Sequence, residues 1–272
     1  MLAVRNLTKI YDDGTVALRD VSFDVPDGEF LVIIGLSGSG KSTLLRCINR
    51  LIDPTEGRIE WDGVDVTAAE QADLRLIRRK IGMVFQQFNL VKRSSVLTNV
   101  LSGRLGYARP GPTVFYRWPL EERKRALAAL ERVGLSEQVA KRADELSGGQ
   151  QQRVGIARAL MQEPKMVLAD EPVASLDPVL AHSILGYLEK LNRDDGITVL
   201  CSLHYLDLVQ RYATSVIGLR EGRIVYRGSS EDIRSMSDGQ FKEIYGAEAE
   251  RVSVGPARSA QAPKARQTGE RP

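Results

Sequence analysis

Several features that mark other protein classes are scarce or missing in this 272-residue sequence. Its two cysteines, Cys47 and Cys201, lie far apart and match no metal-ligand spacing, which suits a reducing compartment. Its apolar runs are short, as in Phe30–Ile34, whereas a membrane-spanning helix needs about 20 residues. Residues 1–5 carry no secretory signal. These absences predict a cytosolic protein that reaches a membrane only through a partner.

Apart from its last 22 residues, the sequence also has no excess of basic residues. The formal net charge is +3, but residues 251–272 hold five basic residues and one acidic residue, which amounts to +4. Residues 1–250 are therefore close to neutral, at −1, which argues against nucleic acid as a partner. The end segment contains no leucine, isoleucine or aromatic residue. This composition predicts a disordered basic tail at residues 247–272.

The sequence does contain a glycine-rich phosphate-binding pattern. Residues 35–42 fit G-x-x-x-x-G-K-[ST], in which backbone N–H groups wrap phosphates, the lysine neutralises them and the serine ligates magnesium. The preceding run Phe30–Ile34 predicts a strand buried on both faces, and residues 42–48 predict a helix whose N-terminus favours an anion. The alternative, a glycine–serine turn that matches by chance, does not account for this context. The candidate nucleotide-binding residues are Gly35, Leu36, Ser37, Gly38, Ser39, Gly40, Lys41, Ser42 and Thr43.

A second glycine-rich segment, residues 146–150 with the sequence Leu-Ser-Gly-Gly-Gln, precedes a predicted helix at residues 151–161. The N-terminus of that helix is a second anion site. One nucleotide cannot use two such distant sites unless the fold brings them together or another copy of the chain supplies the second. Taken alone, the pentapeptide is equally typical of a plain helix cap formed by Ser147.

Two consecutive carboxylates follow another predicted strand. The apolar residues 166–169 predict a central strand, and Asp170 and Glu171 come directly after it. Successive strand side chains point to opposite faces, so the two carboxylates can serve one site only if the backbone turns at that point. Asp170 is the expected magnesium ligand beside Ser42, because phosphate-loop nucleotide-binding proteins hold magnesium with the loop serine and an aspartate. A solvated acidic strand end is the alternative.

The order of these motifs resembles that of the ATP-binding subunits of ABC transporters over about residues 1–246. The resemblance implies an α/β fold: a phosphate-loop ATPase domain with a mainly parallel central sheet, an N-terminal antiparallel β subdomain and an inserted α-helical subdomain at about residues 88–163. It implies ATP and Mg²⁺ as ligands. In that family the segment that corresponds to residues 146–150, called the signature segment, closes over the ATP held by another subunit. The working unit is therefore a dimer of two copies. The signature residues expected to contact ATP are Ser147, Gly148, Gly149 and Gln150.

The resemblance also implies catalytic roles. Glu171 matches the family's catalytic glutamate, which orients and polarises the attacking water, while Lys41 stabilises the developing charge. His204 follows the predicted strand at residues 197–201 and matches the histidine that touches the γ-phosphate. A lone histidine is more often a structural residue, but this one ends a strand beside the site. Many relatives carry an acidic residue after the histidine, whereas this chain has Tyr205, which leaves one secondary contact open.

Two further residues are assigned by the resemblance. Gln86 follows the strand-like residues 81–85 and matches the glutamine that contacts magnesium and senses the membrane partner. The predicted metal ligands are thus Ser42, Gln86 and Asp170. Tyr11 follows residues 7–10, where the family places an aromatic ring that stacks on adenine. An ordinary strand aromatic is the alternative for Tyr11.

The region between Gln86 and Leu146 is expected to dock on a membrane permease. It contains a predicted helix at residues 121–133. Four apolar side chains are predicted to line one face of that helix: Leu120, Leu127, Leu130 and Val133. Residues 107–118 are rich in both proline and aromatic side chains, which fits either an exposed interface or packing under the helices.

Residues 88–106, 130–135 and 170–178 resemble the ATP-binding subunits of phosphonate importers. That resemblance implies an ATP hydrolase that powers phosphonate uptake. The resemblance further implies that the subunit is peripheral on the cytoplasmic face of the inner membrane, that it binds transmembrane permease subunits, and that a phosphonate-binding protein serves it indirectly. An importer of another solute, such as phosphate, phosphite or a polar amino acid, uses the same motifs and is the main alternative. A soluble ABC-type ATPase acting on nucleic acid is a remote one, because the sequence has neither a long coiled-coil insertion nor a second ATPase half.

Overall fold

A computed structural model of the protein describes residues 1–107 and 118–246. Most of the aromatic segment at residues 107–118 and the whole tail at residues 247–272 lie outside the described residues, so what the sequence predicts for them stays a prediction. The strands of the described part are β1 (Leu2–Ile10), β2 (Val16–Val25), β3 (Phe30–Ile34), β4 (Glu56–Trp61), β5 (Val64–Asp65), β6 (Ile81–Val84), β7 (Met166–Ala169), β8 (Thr198–Ser202), β9 (Ser215–Arg220) and β10 (Arg223–Ser229). The α-helices are α1 (Lys41–Ile48), α2 (Gln71–Arg79), α3 (Val96–Leu101), α4 (Leu120–Arg132), α5 (Gly148–Leu160), α6 (Pro178–Asp195), α7 (Leu206–Tyr212), α8 (Ser230–Arg234) and α9 (Asp238–Tyr245).

The N-terminal strands form an antiparallel sheet in the order β2–β1–β4–β5. Leu2 pairs with Val25 of β2 on one side and with Trp61 of β4 on the other. Leu2 and Val4 are buried whereas Arg5 is exposed, because one face of this sheet packs on the core and the other meets water. The predicted N-terminal antiparallel subdomain is confirmed.

The second sheet is mainly parallel, with the order β10–β9–β3–β8–β7–β6. β3 pairs in parallel with β8 and β9, β7 pairs in parallel with β6 and β8, and β10 is antiparallel to β9. Every residue of β3 and β7 is buried, which explains the uninterrupted apolar sequence of both strands. The predicted fold class is therefore confirmed.

The hydrophobic core lies on both faces of this second sheet. Phe30, Val32 and Ile34 of β3 pack into the core formed with α3 to α6. Leu31 and Ile33, which point the opposite way, pack into the core formed with α1 and the antiparallel sheet. Alternate side chains of β3 thus pack into the two cores, and this packing on both faces holds the carboxyl end of β3 in place.

The apolar face of α4 differs from the predicted one. Leu130 and Val133 are buried as expected, but Leu120 is 67% exposed and Leu127 is 44% exposed, so that part of the prediction is wrong. Ala126 and Ala129 are buried in their place. Leu127 lies about 100° around the helix from Ala126, on a different face, and the small alanines allow α4 to approach its neighbours closely. No helix within residues 1–107 or 118–246 combines the length and the apolar character needed to cross a membrane.

Candidate active site

Polar segments leave four neighbouring strands at the same edge of the second sheet. Residues 35–42, which we call the phosphate loop, follow β3, and His204 follows β8. Asp170 follows β7 and Gln86 lies shortly after β6. These strands are adjacent and parallel, so their carboxyl ends meet, and this is the edge at which open α/β sheets bind ligands.

The phosphate loop needs glycine at two positions. Gly35 has a φ of 145° and Gly40 a φ of 106°. A Cβ atom at Gly35 would lie 2.2 Å from the carbonyl oxygen of Leu219, and one at Gly40 would lie 2.5 Å from that of Ala17. Both distances are far below van der Waals contact. A larger residue at either position would therefore deform the loop.

Lys41 begins α1, and the backbone of the phosphate loop holds its ammonium group. The side chain is only 3% exposed, and Nζ donates hydrogen bonds of 2.9 Å to the carbonyl oxygens of Gly35 and Leu36. Nζ also lies 3.8 Å from Glu171 Oε1. Burial lowers the pKa of Lys41, while the charges of Glu171 and Asp170 act in the opposite direction. A glycine-rich backbone with an ammonium group at its centre can bind phosphate.

The other predicted residues of the loop differ in their exposure. Ser37 and Gly38 are exposed, Leu36 is half-buried and Ser39 is buried. The Ser39 carbonyl oxygen accepts a hydrogen bond of 3.1 Å from the backbone N–H of Gly222, which lies between β9 and β10. This bond ties the loop to the neighbouring hairpin. Within the described part of the chain, the Ser39 hydroxyl has no hydrogen-bond partner.

Tyr11 connects the antiparallel sheet to the helix that follows the phosphate loop. Its hydroxyl lies 3.1 Å from Oγ1 of Thr43, the third residue of α1. The turn after β1 is closed by a hydrogen bond of 2.9 Å from the Tyr11 backbone N–H to the carbonyl oxygen of Thr15. The half-buried tyrosine is thus anchored at both its backbone and its hydroxyl, next to the predicted nucleotide-binding helix.

Ser42 and Asp170 place two oxygen ligands next to each other. Ser42 Oγ donates a hydrogen bond of 2.6 Å to Asp170 Oδ1, and Arg46 Nη2 lies 3.1 Å from Asp170 Oδ2. The Asp170 side chain is 2% exposed, so Arg46 and the two hydroxyl groups near it offset the cost of burying its charge. Hydroxyl and carboxylate oxygens are the ligands that Mg²⁺ prefers, so these residues fit a magnesium ion.

The backbone turns at Glu171, as a shared site for the two carboxylates requires. Its φ is +47°, a left-handed conformation that is uncommon outside glycine. His204 Nε2 lies 2.6 Å from Glu171 Oε1 and donates this hydrogen bond, because an ionised carboxylate can only accept. The hydrogen bond is the main cause that lowers the pKa of Glu171, against burial, which raises it. Glu171 is therefore ionised near neutral pH.

Two residues at this edge were not predicted. Arg46 lies four positions after Ser42 in α1, so the helical repeat alone places both on one side of the helix. Ser202 is the polar residue that ends the apolar strand β8, and its Oγ accepts a hydrogen bond of 2.8 Å from the backbone N–H of Glu171. A polar residue at the carboxyl end of a buried parallel strand was the available signal in the sequence.

The structure does not bring every predicted site residue together within one chain. Gln86 is exposed, and none of the hydrogen bonds within the described part of the chain involves its side chain. Ser147 and Gln150 form a reciprocal cap at the start of α5, with bonds of 3.4 Å to Ser147 Oγ and 3.0 Å to Gln150 Oε1. Gly148 and Gly149 follow Ser147 in the first turn of that helix. In the described residues, no hydrogen bond or ion pair links this signature segment to the phosphate loop.

The sequence matches a family model for the ABC transporter over residues 18–174, which is more than half of the chain. The chain belongs to the ABC transporter family. The match covers the phosphate loop, the signature segment and both carboxylates at the end of β7. ATP-binding subunits of this family hydrolyse ATP, and this ABC ATPase is accordingly an ATP-hydrolysing transport ATPase.

Curated relatives resemble this ABC ATPase over nearly its whole length. A phosphonates import ATP-binding protein of Lactobacillus johnsonii is 52% identical over 245 residues, which cover 90% of this chain and 95% of the relative. One from Halalkalibacterium halodurans is 48% identical over 246 residues, covering 90% of this chain and 94% of the relative. The chain is thus similar to complete proteins of that kind.

Solved structures of ATP-binding cassettes share the fold of this ABC ATPase. A dimeric cassette in a post-hydrolysis state, bound to ADP and Pi, matches with a TM-score of 0.74 and 37% identity, covering 85% of this chain and 99% of that one. The ADP conformation of a cassette from an ABC transporter matches with a TM-score of 0.77 and 34% identity, covering 94% and 98%. The fold prediction is confirmed, and cassettes of this kind can dimerise.

Proposed function

We propose that this ABC ATPase powers the import of phosphonates. The observation that supports the proposal is the 52% identity to a phosphonates import ATP-binding protein over 90% of the chain. Phosphonate itself is expected to be recognised by a separate binding protein and carried by transmembrane permease subunits. The ATPase would then be a peripheral subunit on the cytoplasmic face of the membrane, and the region between Gln86 and Leu146 would include its permease-docking surface.

Nucleotide binding is assigned to residues that already lie together. The phosphate loop wraps the phosphates with its backbone N–H groups, and Lys41 neutralises part of their charge. The aromatic ring of Tyr11 stacks on the adenine. This assignment is supported by the burial of Lys41, by the glycine requirement at Gly35 and Gly40, and by the bond that ties Tyr11 to Thr43.

Hydrolysis is assigned to Glu171, which orients the attacking water and polarises it through its negative charge. His204 donates a hydrogen bond to the carboxylate of Glu171 and would contact the γ-phosphate when ATP is bound. Ser42 and Asp170, with Gln86, would hold Mg²⁺. When bound, that ion would neutralise charge on the phosphates. The hydrogen bond between Ser42 and Asp170 supports this ligand set.

The signature segment is assigned to the ATP of a second copy. The first turn of α5 carries backbone N–H groups whose dipoles favour an anion, and Ser147, which caps this turn, is exposed. No bond links this segment to the phosphate loop of its own chain within the described residues, which fits a role across an interface. A dimer would therefore contain two ATP sites, each built from both copies.

The proposal is tested by reconstituting the ATPase with its co-purifying permease and binding protein in lipid vesicles. Methylphosphonate should stimulate ATP hydrolysis in these vesicles, while phosphate, phosphite and polar amino acids should not. Stimulation by one of those solutes alone would reassign the ATPase to the alternative importer. Stimulation by DNA or RNA without a permease would support the remote alternative, an ATPase that acts on nucleic acid.

Arg46 provides a test of the magnesium assignment. Its guanidinium group is an ion-pair partner of Asp170 and should compete with Mg²⁺ for that carboxylate. Because the Arg46 side chain is 44% exposed, we expect its ion pair with Asp170 to contribute about 1 kcal/mol. We therefore expect Arg46→Gln to lower the Mg²⁺ concentration for half-maximal ATPase activity by about three- to fivefold, as measured in a metal titration. Arg46→Lys keeps the charge and serves as the control, and a raised or unchanged Mg²⁺ requirement in Arg46→Gln would contradict the assignment.

Tyr11 provides a test of the adenine assignment. We expect Tyr11→Ala to weaken ATP binding about fivefold, because aromatic stacking contributes roughly 1 kcal/mol. Tyr11→Phe keeps the ring and loses only the hydrogen bond to Thr43, so its affinity should stay within about twofold of the wild type. Both affinities can be measured by calorimetry. An equal loss in the two variants would show that the hydroxyl group, not the ring, carries the effect.

A further inference from the structure

Ser202 lies at the point where the two carboxylates leave the sheet. It is completely buried, and its Oγ accepts a hydrogen bond of 2.8 Å from the backbone N–H of Glu171. The same oxygen lies 3.5 Å from the carbonyl oxygen of Ala169 and 3.5 Å from Asp170 Oδ1. A hydroxyl group has one proton and two acceptor positions, so Ser202 can accept from Glu171 and donate to one of these two oxygens.

At this point the side chain of Ser202 replaces a backbone carbonyl group as the hydrogen-bond acceptor of the strand pairing. The regular pairing of β7 with β8 ends at Ala169 and Cys201. The next amide, that of Asp170, donates to the carbonyl oxygen of Val84 in β6. The amide of Glu171 then points to the β8 side, and because the chain turns with a φ of +47° it meets a hydroxyl group instead of a carbonyl oxygen. Without that hydroxyl group, this amide would lose its partner beside the buried end of β8.

One short segment therefore holds Glu171 at both ends. Ser202 binds the backbone amide of Glu171, and His204, two residues later, binds its carboxylate at 2.6 Å. We propose that Ser202 is a positioning residue that fixes the strained turn at Glu171 and so aims its carboxylate at the reacting water. The inference rests on the proposed role of Glu171, because Ser202 acts through that residue. A left-handed residue persists only where its surroundings determine it, and the hydroxyl group of Ser202 provides that constraint.

The first test separates positioning from simple stabilisation of the strand end. We expect Ser202→Ala to lower kcat for ATP at least tenfold while leaving KM and nucleotide affinity within about twofold, because the phosphate loop is unchanged. Ser202→Thr keeps the hydroxyl group and should recover much of the lost rate. Thr198→Val is a matched control: Thr198 is buried at the other end of β8, and its Oγ1 also accepts a backbone hydrogen bond, of 3.0 Å from Gly28. This control should keep the wild-type kcat.

A second readout does not depend on activity. Hydrogen exchange of the Glu171 amide, followed by NMR in the nucleotide-free protein, should be faster in Ser202→Ala than in the wild type and close to normal in Ser202→Thr. Should Ser202→Ala fail to fold, Ser202→Cys replaces it, since a thiol is a weaker acceptor and should also speed exchange and slow turnover. An unchanged kcat, an equal loss of kcat in Thr198→Val, or an unchanged exchange rate would each overturn the inference.

A double variant distinguishes failure of this inference from failure of the proposed function. If Ser202 acts through Glu171, Ser202→Ala should cause no further loss of kcat in a Glu171→Gln background. Normal hydrolysis by Glu171→Gln itself would overturn the proposed catalytic role and this inference with it. Inactive Glu171→Gln together with fully active Ser202→Ala would overturn the inference alone.

Discussion

Glu171→Gln should bind ATP and fail to hydrolyse it. The amide keeps the size and shape of the carboxylate, but it loses the negative charge that polarises water and the ability to accept a proton. That charge is present near neutral pH in the wild type, since the hydrogen bond from His204 lowers the pKa of Glu171 from a value already well below neutral. General base catalysis contributes about 10²- to 10⁴-fold, so we expect a loss of that order in the rate of phosphate release. ATP affinity, measured by titration, should stay within a few-fold.

The same variant tests the dimer. With hydrolysis blocked, Glu171→Gln should elute as a dimer from a sizing column in ATP and Mg²⁺, whereas the wild type should return to monomer as ATP is consumed. Glu163→Gln is the matched control, because Glu163 also has a left-handed backbone, with φ of 49°. Its ion pairs with Arg104 and Arg125 lie away from the carboxyl edge of the second sheet, where the candidate active site is. A Glu171→Gln variant that stays monomeric and hydrolyses ATP at the normal rate would contradict both assignments.

Lys41→Ala should instead abolish tight nucleotide binding. The ammonium group is buried, and its two donated bonds to Gly35 and Leu36 hold the loop in the curved form that phosphates need. Losing a charged donor of this kind costs about 1.5–3 kcal/mol, so we expect ATP affinity to fall by about ten- to a hundredfold or more in calorimetric titrations. ATPase activity should be lost with it.

The control for this prediction is Lys165→Ala. Lys165 is an exposed lysine that pairs with Asp62, and its removal should leave ATP affinity unchanged. If Lys41→Ala bound ATP as tightly as the wild type, the phosphate loop would not be the nucleotide site of this chain. If both variants lost affinity equally, the effect would reflect overall charge and not a contact with phosphate.

The sequence predicted the parts of the fold that follow local rules. Phe30–Ile34 is apolar at every position, and the structure buries all five residues in a parallel strand. The glycine-rich segment after it begins α1 at Lys41, as a helix N-terminus at an anion site requires. In these places composition, strand length and turn chemistry all indicate the same structure, so the prediction needed no knowledge of distant contacts.

Predictions that depended on distant contacts were less complete. Strand alternation places Asp170 and Glu171 on opposite faces, and the sequence did not reveal that the amide of Glu171, where φ is +47°, donates a hydrogen bond to Ser202, from a strand distant in sequence. On α4 the sequence correctly predicts that Leu130 and Val133 are buried, but Ala126 and Ala129 are buried where Leu120 and Leu127 were predicted, because the distance to neighbouring helices decides which size fits. Such distances are set by the whole fold and are not visible in a helical repeat.

The signature segment shows a different limit on what the sequence of one chain can predict. Its sequence and its capped helix N-terminus are both visible in one chain, with Ser147 and Gln150 bonded to each other. What it binds is expected to come from a second copy, so neither the sequence nor the fold of a single chain contains the completed site. The assignment of Ser147, Gly148, Gly149 and Gln150 therefore depends on the dimer test described for Glu171→Gln.

The most direct test of the account is growth on a defined phosphorus source. Cells that lack this subunit would be complemented with wild type or with Glu171→Gln and grown on methylphosphonate, phosphite or phosphate alone. Growth on methylphosphonate restored by the wild type and not by Glu171→Gln is the predicted result, since it requires both the substrate class and ATP hydrolysis. Equal growth of all strains on methylphosphonate would contradict the phosphonate assignment, and rescue by Glu171→Gln would contradict the role of ATP hydrolysis at Glu171.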